Sequence, residues 1–497
     1  MGRNILIFSD GTGQAGGFMP DEARSNVYKL FRATRVAPDN SIDPKLQLAF
    51  YDAGLGASGE GDAIKITWLR RLYNIMSKAT GLGITQNIID CYTEIIRVWQ
   101  PGDRIYLFGF SRGAYTVRCV GGVLKACGVP TAVRQPGGRV RPLRRDARSA
   151  RRIATEAVKH VYQFGGSIKG DPYRNERAKR AARFRHKYFS GDASVSNTAP
   201  YFIGAWDTVQ TLGAGTRGLL LLGLLYEVMC MGLGAACDAW TDMGFLLPFL
   251  LLGVGLPLAL YAAACMRYKG LVSLARYRQA FYDTKLNYAV RYARHALAID
   301  EDRATFDCVP WDEEPSRQAF TDQPASSPAR FKQVWFAGSH SDVGGSYPET
   351  ESRLSDIALA WMTQEAMRLP HPIYVDPTSL RLYPDSAGPQ HDERKAFLAA
   401  CPRWFAHCAL RFVDPKHFGW RQKHRRIAAD ALLHPSVPER LRLPAVLIHG
   451  DMVPYRPPAL RHLWQPREQA PDRSPAPAPP RHVVRPDFDA RDRRATS

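Results

Sequence analysis

The chain has 497 residues, 45% of them hydrophobic and 11% aromatic. That excludes a protein disordered throughout and leaves room for one large α/β domain with additions, or for two to three ordinary domains. A formal net charge of +20 invites an anionic partner, but no zinc-finger or RNA-binding signature accompanies the arginines, so the basic surface reads as solvated or lipid-facing and not as a nucleic-acid interface.

In chain order, NILIFSDGTG (4–13) reads as a buried strand running into a glycine-rich turn, and LQLAFYDAGLGA (46–57) repeats that grammar. The opening MGRNILIFSDGTG has no evident targeting peptide. GITQNIIDCYTEIIRVWQPG (83–102) carries apolar residues at helical spacing until Pro101-Gly102 stops it. RIYLFGFS is a strand and RGAYTVRCVGGVLKACG (112–128) a helix, a cadence that predicts a mostly parallel sheet with crossover helices, the α/β class. An Arg/Pro/Gly-rich stretch, 134–152, reads as an exposed insertion, and basic helical sequence follows to about residue 190. APYFIGAWDTVQTLG (199–213) is a strand ending in Asp207, FKQVWFAGSHSDVGGSYPE (331–349) one ending at His340, and LSDIALAWMTQEAMRL (354–369) a helix. From about residue 468 the Pro/Arg/Asp composition predicts a disordered tail. Nine cysteines are scattered without metal-ligand spacing or a disulfide framework, which fits a reducing compartment.

Residues 217–266 stand apart. The stretch from Gly218 to Ala236 is apolar except for Glu227, and residues 243–266 hold no charge at all. A bilayer span needs about 20 apolar residues, so the pair predicts a transmembrane hairpin. Arg217 lies before it, Arg267 and Lys269 after it, and Asp238 and Asp242 in its turn. The positive-inside rule then puts both ends, and the folded body built from 1–216 and 267–450, on the cytoplasmic side of an inner membrane.

The chemistry centres on Gly109-Phe110-Ser111-Arg112-Gly113, which fits G-x-S-x-G between a predicted strand and a predicted helix. In such an elbow the serine takes a strained conformation, the glycines relieve clashes, and the hydroxyl stands at a helix N-terminus able to stabilise an oxyanion. A serine needs a base, and the base an orienting acid. Asp207 and His340 follow Ser111 in the hydrolase order, each at a strand's C-terminal end. His434 and His295 are rival bases and Asp342 a rival acid. The turn Asp10-Gly11-Thr12, with the N–H of Arg112, is the candidate oxyanion hole. A metal-dependent phosphoester hydrolase would instead gather Asp10, His340, Asp342 and Asp356 around a divalent cation. The haloacid-dehalogenase reading fails, because its nucleophilic aspartate falls on Phe8.

Eight stretches occurring in order, RNILIFSDGTGQ, YDAGLGA, GFSRGAYTVR, FIGAWDTVQTLG, HALAIDEDR, VWFAGSHSDVGGSYPE, LSDIALAWM and LHPSVPER, resemble the DUF2235 family over roughly residues 3 to 445. That family is α/β-hydrolase-like and related to the Tle1 phospholipase effectors of bacterial type VI secretion. The resemblance implies lipolytic ester hydrolysis by a Ser-Asp-His triad, carried here to Ser111, Asp207 and His340. It also implies the type VI secretion apparatus as a partner, whereas the apolar hairpin points to a resident inner-membrane protein. The expectation is therefore a membrane-associated serine hydrolase of lipid acyl esters, needing no cofactor or metal, with a lipid substrate and an anionic membrane surface as partners. The alternatives are a tethered esterase for a soluble substrate, the metal-dependent hydrolase, or a non-enzymatic membrane scaffold.

Overall fold

The computed structural model describes residues 2–11, 23–53, 83–165, 172–209, 216–240, 244–256, 258, 286–311, 328–400 and 422–464. Six strands form one sheet: β1 (Asn4–Ser9), β2 (Gln47–Asp52), β3 (Arg104–Phe110), β4 (Pro200–Trp206), β5 (Tyr292–Ala298) and β6 (Phe331–Phe336). Their spatial order is β2-β1-β3-β4-β5-β6 and every pairing is parallel. The chain leaves β1 outward to β2 and then returns to the other side of β1 for β3. That reversal opens a crevice at the C-terminal ends of β1 and β3, where open α/β sheets hold their ligands.

A strand alternates its side chains between two faces. In β1, Ile5 and Ile7 enter one apolar layer, while Leu6 and Phe8 enter the other. The first layer is closed by α2 (Gly83–Val98) and α3 (Arg112–Cys127), the second by α1 (Asn26–Thr34) and a long helix later in the chain, Arg353–Met367. On the second face Phe8 stacks on Phe108 at 5.0 Å, and Phe108 meets Phe202 at 5.3 Å. Burial on both faces explains why β1 and β3 read as unbroken apolar runs.

Strand β5 escapes that grammar. Its sequence YARHALA places Arg294 and His295 in the strand next to the edge of the sheet, both fully buried. Arg294 survives there because Glu365, on the covering helix, accepts from its Nε at 2.5 Å. His295 is held between Gln333 and Thr208.

The basic stretch after α3 is not simply exposed. Its second half forms α4 (Ala147–Thr155), which buries Ala150, Ile153 and Ala154 against the first layer and leaves Arg148, Arg151 and Arg152 outside. In α5 (Arg174–Tyr188), Arg185 is buried and donates to the carbonyls of Ala126, Asp192 and Ala193.

The transmembrane hairpin needs correction. Its first limb is a helix, α6 (Thr216–Trp240), and its second runs from Leu246 into a π-helical stretch at Leu250–Gly255. Tyr226 donates its hydroxyl to the Leu252 carbonyl at 2.5 Å, and a Cβ on Gly253 would meet the Glu227 carboxylate at 2.9 Å, so the two limbs pack on each other around an acid. Among the described residues no helix is long and apolar enough to cross a membrane. Glu227 lies inside the first run, a costly residue in lipid, and the second run changes helical pitch at Leu250–Gly255. Residues 243, 257 and 259–266 of the second run lie outside the described residues, as does the tail from about residue 468, whose composition predicts disorder.

Candidate active site

Ser111 joins the end of β3 to the start of α3 with φ 59° and ψ −121°. A positive φ is costly for a residue with a Cβ, on the order of 1–3 kcal/mol, and the surroundings enforce it. A Cβ on Gly109 would meet the Gly113 carbonyl, and one on Gly113 would collide with the Ser9 carbonyl at the end of β1. The two glycines thus let β1, β3 and α3 close on one another, and the turn has only the serine to absorb the bend. The Ser111 side chain makes no capping hydrogen bond, so its hydroxyl is not spent on holding the helix.

The neighbouring strand ends bring in the partners. Ser111 N–H donates to the Trp206 carbonyl at 3.0 Å, which sets Asp207 beside it at the end of β4. Asp207 also has a positive φ, 38°, and is fully buried. Its Oδ2 accepts from His340 Nδ1 at 2.5 Å, and its Oδ1 from the Ala298 N–H at 3.0 Å. His340 opens a short helix, α7 (His340–Gly344), which follows β6 in the chain. The imidazole lies 4.6 Å, ring to ring, from Phe110, the residue before Ser111, and 5.1 Å from Phe306. Its backbone N–H donates to Glu301 at 3.2 Å, and Glu301 is in turn gripped by Arg303 at 2.7 Å.

A second cation completes the corner. Arg425 forks onto Asp207, Nη1 to Oδ1 at 2.5 Å and Nη2 to Oδ2 at 2.9 Å, and donates to the carbonyls of Ala298 and Phe306. Burial pushes the Asp207 carboxyl up, but the Arg425 guanidinium and the His340 hydrogen bond outweigh it and hold the acid well below the usual carboxylate range. Asp207 is therefore an acceptor only, so His340 Nδ1 carries the proton of that bond and Nε2 is left as the basic nitrogen. A strained serine, a histidine beside the residue preceding it, and an ionised aspartate behind that histidine have the composition of a nucleophile, base and orienting acid.

Residues 3–365 match the family described as "T6SS, Phospholipase effector Tle1-like, catalytic domain". The chain belongs to this family. Its members are phospholipase-type hydrolases by that description, which corrects the expectation of a resident inner-membrane, multi-pass protein: the family is one of type VI secretion effectors. Among solved structures the chain is similar to an uncharacterized protein from Pseudomonas aeruginosa, with 16% identity and a TM-score of 0.33 over 77% of this chain and 48% of that one. It is also similar to the Tle1 effector bound to the VgrG spike of the type VI secretion system, with 14% identity and a TM-score of 0.29 over 71% of this chain and 52% of that one. The chain spans about half the length of these two. An uncharacterized protein of Saccharomyces cerevisiae is 29% identical over 131 residues, which is 26% of this chain and 18% of that protein.

In this Tle1-like chain the other candidates are engaged elsewhere. His295 accepts from the Thr208 N–H at Nε2, 3.3 Å, and so donates from Nδ1 to Gln333 at 3.1 Å; burial, then the Arg118 charge, lowers it to about 3. His434 bonds Ser436 at 2.9 Å and stacks on Phe336. Asp342 closes a capping box with Ser339 and accepts from His391 at 2.7 Å, so it supports α7 and does not reach the His340 ring as its acid. Asp10 accepts from Ser25 at 2.5 Å, Tyr51 at 2.7 Å and its neighbour Gly11 N–H at 2.6 Å; burial raises it to about 6. The Gly11 donor is thus committed to Asp10 in this conformation, and Thr12 lies outside the described residues. Arg112 opens α3, and burial lowers its guanidinium to about 10. Asp356 pairs with Lys29 at 3.1 Å. Among the described residues no three His, Cys, Asp or Glu side chains converge as metal ligands, so the set proposed around Asp10, His340, Asp342 and Asp356 is not brought together.

Sequence reading missed Arg425, Glu301 and Phe306. Arg425 is one of several cations in QKHRRIAAD, with no periodicity to mark it. Glu301 at least falls within HALAIDEDR, one of the stretches that carried the family resemblance.

Proposed function

We propose that this chain is a serine hydrolase of lipid acyl esters, glycerophospholipids foremost, acting through Ser111, His340 and Asp207. The observation that carries the reading is the left-handed Ser111 at the junction of β3 and α3, its hydroxyl not used to cap the helix. His340 Nε2 takes the Ser111 proton as Oγ attacks the ester carbonyl, and Asp207 stabilises the imidazolium from behind. The N-terminal end of α3, beginning at Arg112, faces the developing oxyanion with its dipole. Collapse of the tetrahedral intermediate passes the proton from His340 to the departing alcohol and leaves an acyl-Ser111. Water, deprotonated by the same histidine, then releases the fatty acid. The lipid substrate is inferred from the family's description, as is delivery through a type VI secretion apparatus.

A fluorophosphonate probe, which reacts only with an activated serine, tests the assignment. Wild type is expected to label, and Ser111→Ala and His340→Ala to lose labelling. Labelling that persists in Ser111→Ala would remove the nucleophile from the proposal.

A further inference from the structure

The His340 helix, α7, is a little over one turn long, and buried carboxylates hold its entrance. The His340 N–H donates to Glu301 at 3.2 Å, while the N–H and hydroxyl of Ser339, one residue earlier, donate to Asp342 Oδ2 at 2.9 and 3.0 Å. Glu301 is fixed by Arg303. Asp342 is fixed from a distant part of the chain: His391 gives its backbone N–H to Oδ2 at 3.1 Å, and its ring Nδ1 meets Oδ1 at 2.7 Å. The other ring nitrogen, Nε2, meets Glu351 at 3.0 Å. We propose that His391, as an imidazolium bridging Asp342 and Glu351, is a positioning residue that locks the helix carrying His340.

The charge follows from the partners. A neutral imidazole has one donor nitrogen and one acceptor nitrogen, and an ionised carboxylate only accepts. With a carboxylate at each end both nitrogens donate, and the ring is a cation. Burial alone would lower His391, but the hydrogen bonds and charges of Asp342 and Glu351 outweigh it and hold the ring above its ordinary value. Tyr347 stacks on the imidazole with centroids 3.6 Å apart at 18°, a face that favours a cation, and gives its hydroxyl to Glu393. Arg440, whose charge also reaches Asp342, directs its Nη1 to the carbonyls of Ser386 and Gly388. The two ends of the bridge differ: the Asp342 side chain is 1% exposed and that of Glu351 49%. The buried end does the holding, and the open end keeps the ring doubly protonated.

The lock reaches the base through α7 itself. On the far side of that helix a Cβ on Gly344 would run into the Phe110 ring, which lies 4.6 Å from the His340 ring and directly precedes Ser111. Helix α7 is thus set between Phe110 and His391. Without the imidazolium, Asp342 Oδ1 loses its donor, and the carboxylate that orders the Ser339–His340 peptide can turn. Displacing a base by an ångström from its nucleophile costs up to about 10²-fold in rate. The inference rests on the reading of His340 as that base.

The rate of fluorophosphonate labelling at Ser111, followed against probe concentration, tests it. A folded enzyme with a misplaced base labels slowly but completely, whereas a merely destabilised one loses labelled fraction and keeps its rate. His391→Gln is expected to lower the rate at saturating probe about tenfold, with the half-saturating concentration and the final labelled fraction unchanged. His391→Arg should recover most of that rate, because its planar cation stacks on Tyr347 and donates to both carboxylates. A wild-type rate in His391→Gln, or an equal loss in both substitutions, overturns the proposal. Should His391→Gln not fold, Glu351→Gln at the half-exposed end of the bridge takes its place, with an expected slowing of about threefold; an unchanged rate there overturns it equally. Ser111→Ala in parallel separates the two readings. Labelling that persists in Ser111→Ala sinks the nucleophile assignment, whereas Ser111-dependent labelling indifferent to residue 391 sinks the bridge alone.

Discussion

Two corners of the same sheet bury aspartates at strand ends and treat them in opposite ways. At the β1–β2 corner, Asp10 and Asp52 are surrounded by neutral donors: Ser25, Tyr51 and Gly11 for the first, Ser9 and Asn87 for the second. Burial dominates, and it raises them to about 6 and about 7. At the β4–β6 corner, Asp207 is equally buried but has a forked guanidinium on one side and an imidazole on the other, and it is held ionised. Burial alone does not make a carboxylate a candidate catalytic acid or orienter. The charge of its partners does, and only the second corner supplies a permanent negative charge to a histidine.

The largest expected effect comes from erasing that charge. Asp207→Asn keeps the shape but no longer fixes the His340 tautomer, and kcat on a lipid ester should fall about 10⁴-fold with KM little changed. A loss under tenfold would mean that His340 does not work through Asp207. Next comes the cation. Arg425→Met leaves Asp207 buried with half its compensation, a change that costs about 3–5 kcal/mol of stability when one partner of a buried pair is removed. Urea unfolding reads it directly, and the acid-unfolding midpoint should move up. In wild type the stability tied to Asp207 is present above its unfolded value of 3.8 and is lost only as pH falls through its depressed folded value.

The opposite corner should respond to pH with the opposite sign. Folded protein holds the Asp52 proton to about pH 7, whereas the unfolded chain releases it near 3.8. Between those values the folded state binds more protons, so this contribution is complete below pH 4 and is lost as pH rises through 7. Asp52→Asn should therefore flatten the fall in unfolding free energy between pH 4 and 7, by on the order of 3 kcal/mol. An unchanged slope would show that Asp52 is ionised in the fold after all. The smallest effect is expected at His434, which burial lowers and Ser436 occupies. His434→Ala should change kcat by less than about twofold, within the range of substitutions away from the reacting atoms; a loss comparable to that of His340→Ala would make it the base.

Much of this architecture was legible because it is local. The apolar runs of β1 and β3, the helical spacing of α2 and α3, and the glycines around Ser111 each depend on residues a few positions apart, and pleat and helix periods convert such spacing directly into structure. Strand β5 was not legible, since Arg294 and His295 look like surface residues until Glu365, Gln333 and Thr208 are placed against them. The apolar run at 217–266 misled for a related reason: hydropathy counts residues, whereas the packing of Glu227 toward Gly253 and the pitch change at Leu250 decide what kind of helix forms.

The sequence by itself determined the α/β class, the sharp turn at Ser111 and the chain order of serine, aspartate and histidine, because those follow from short-range sterics and periodicity. Only the tertiary structure decided which aspartate meets which histidine, that Arg425 keeps Asp207 charged, and that Asp10 is held by Ser25 and Tyr51. Those pairings join residues 133 and 218 positions apart for Asp207. Their electrostatics depend on burial and on the sign of a neighbour's charge, and neither quantity exists until the strands have been laid side by side.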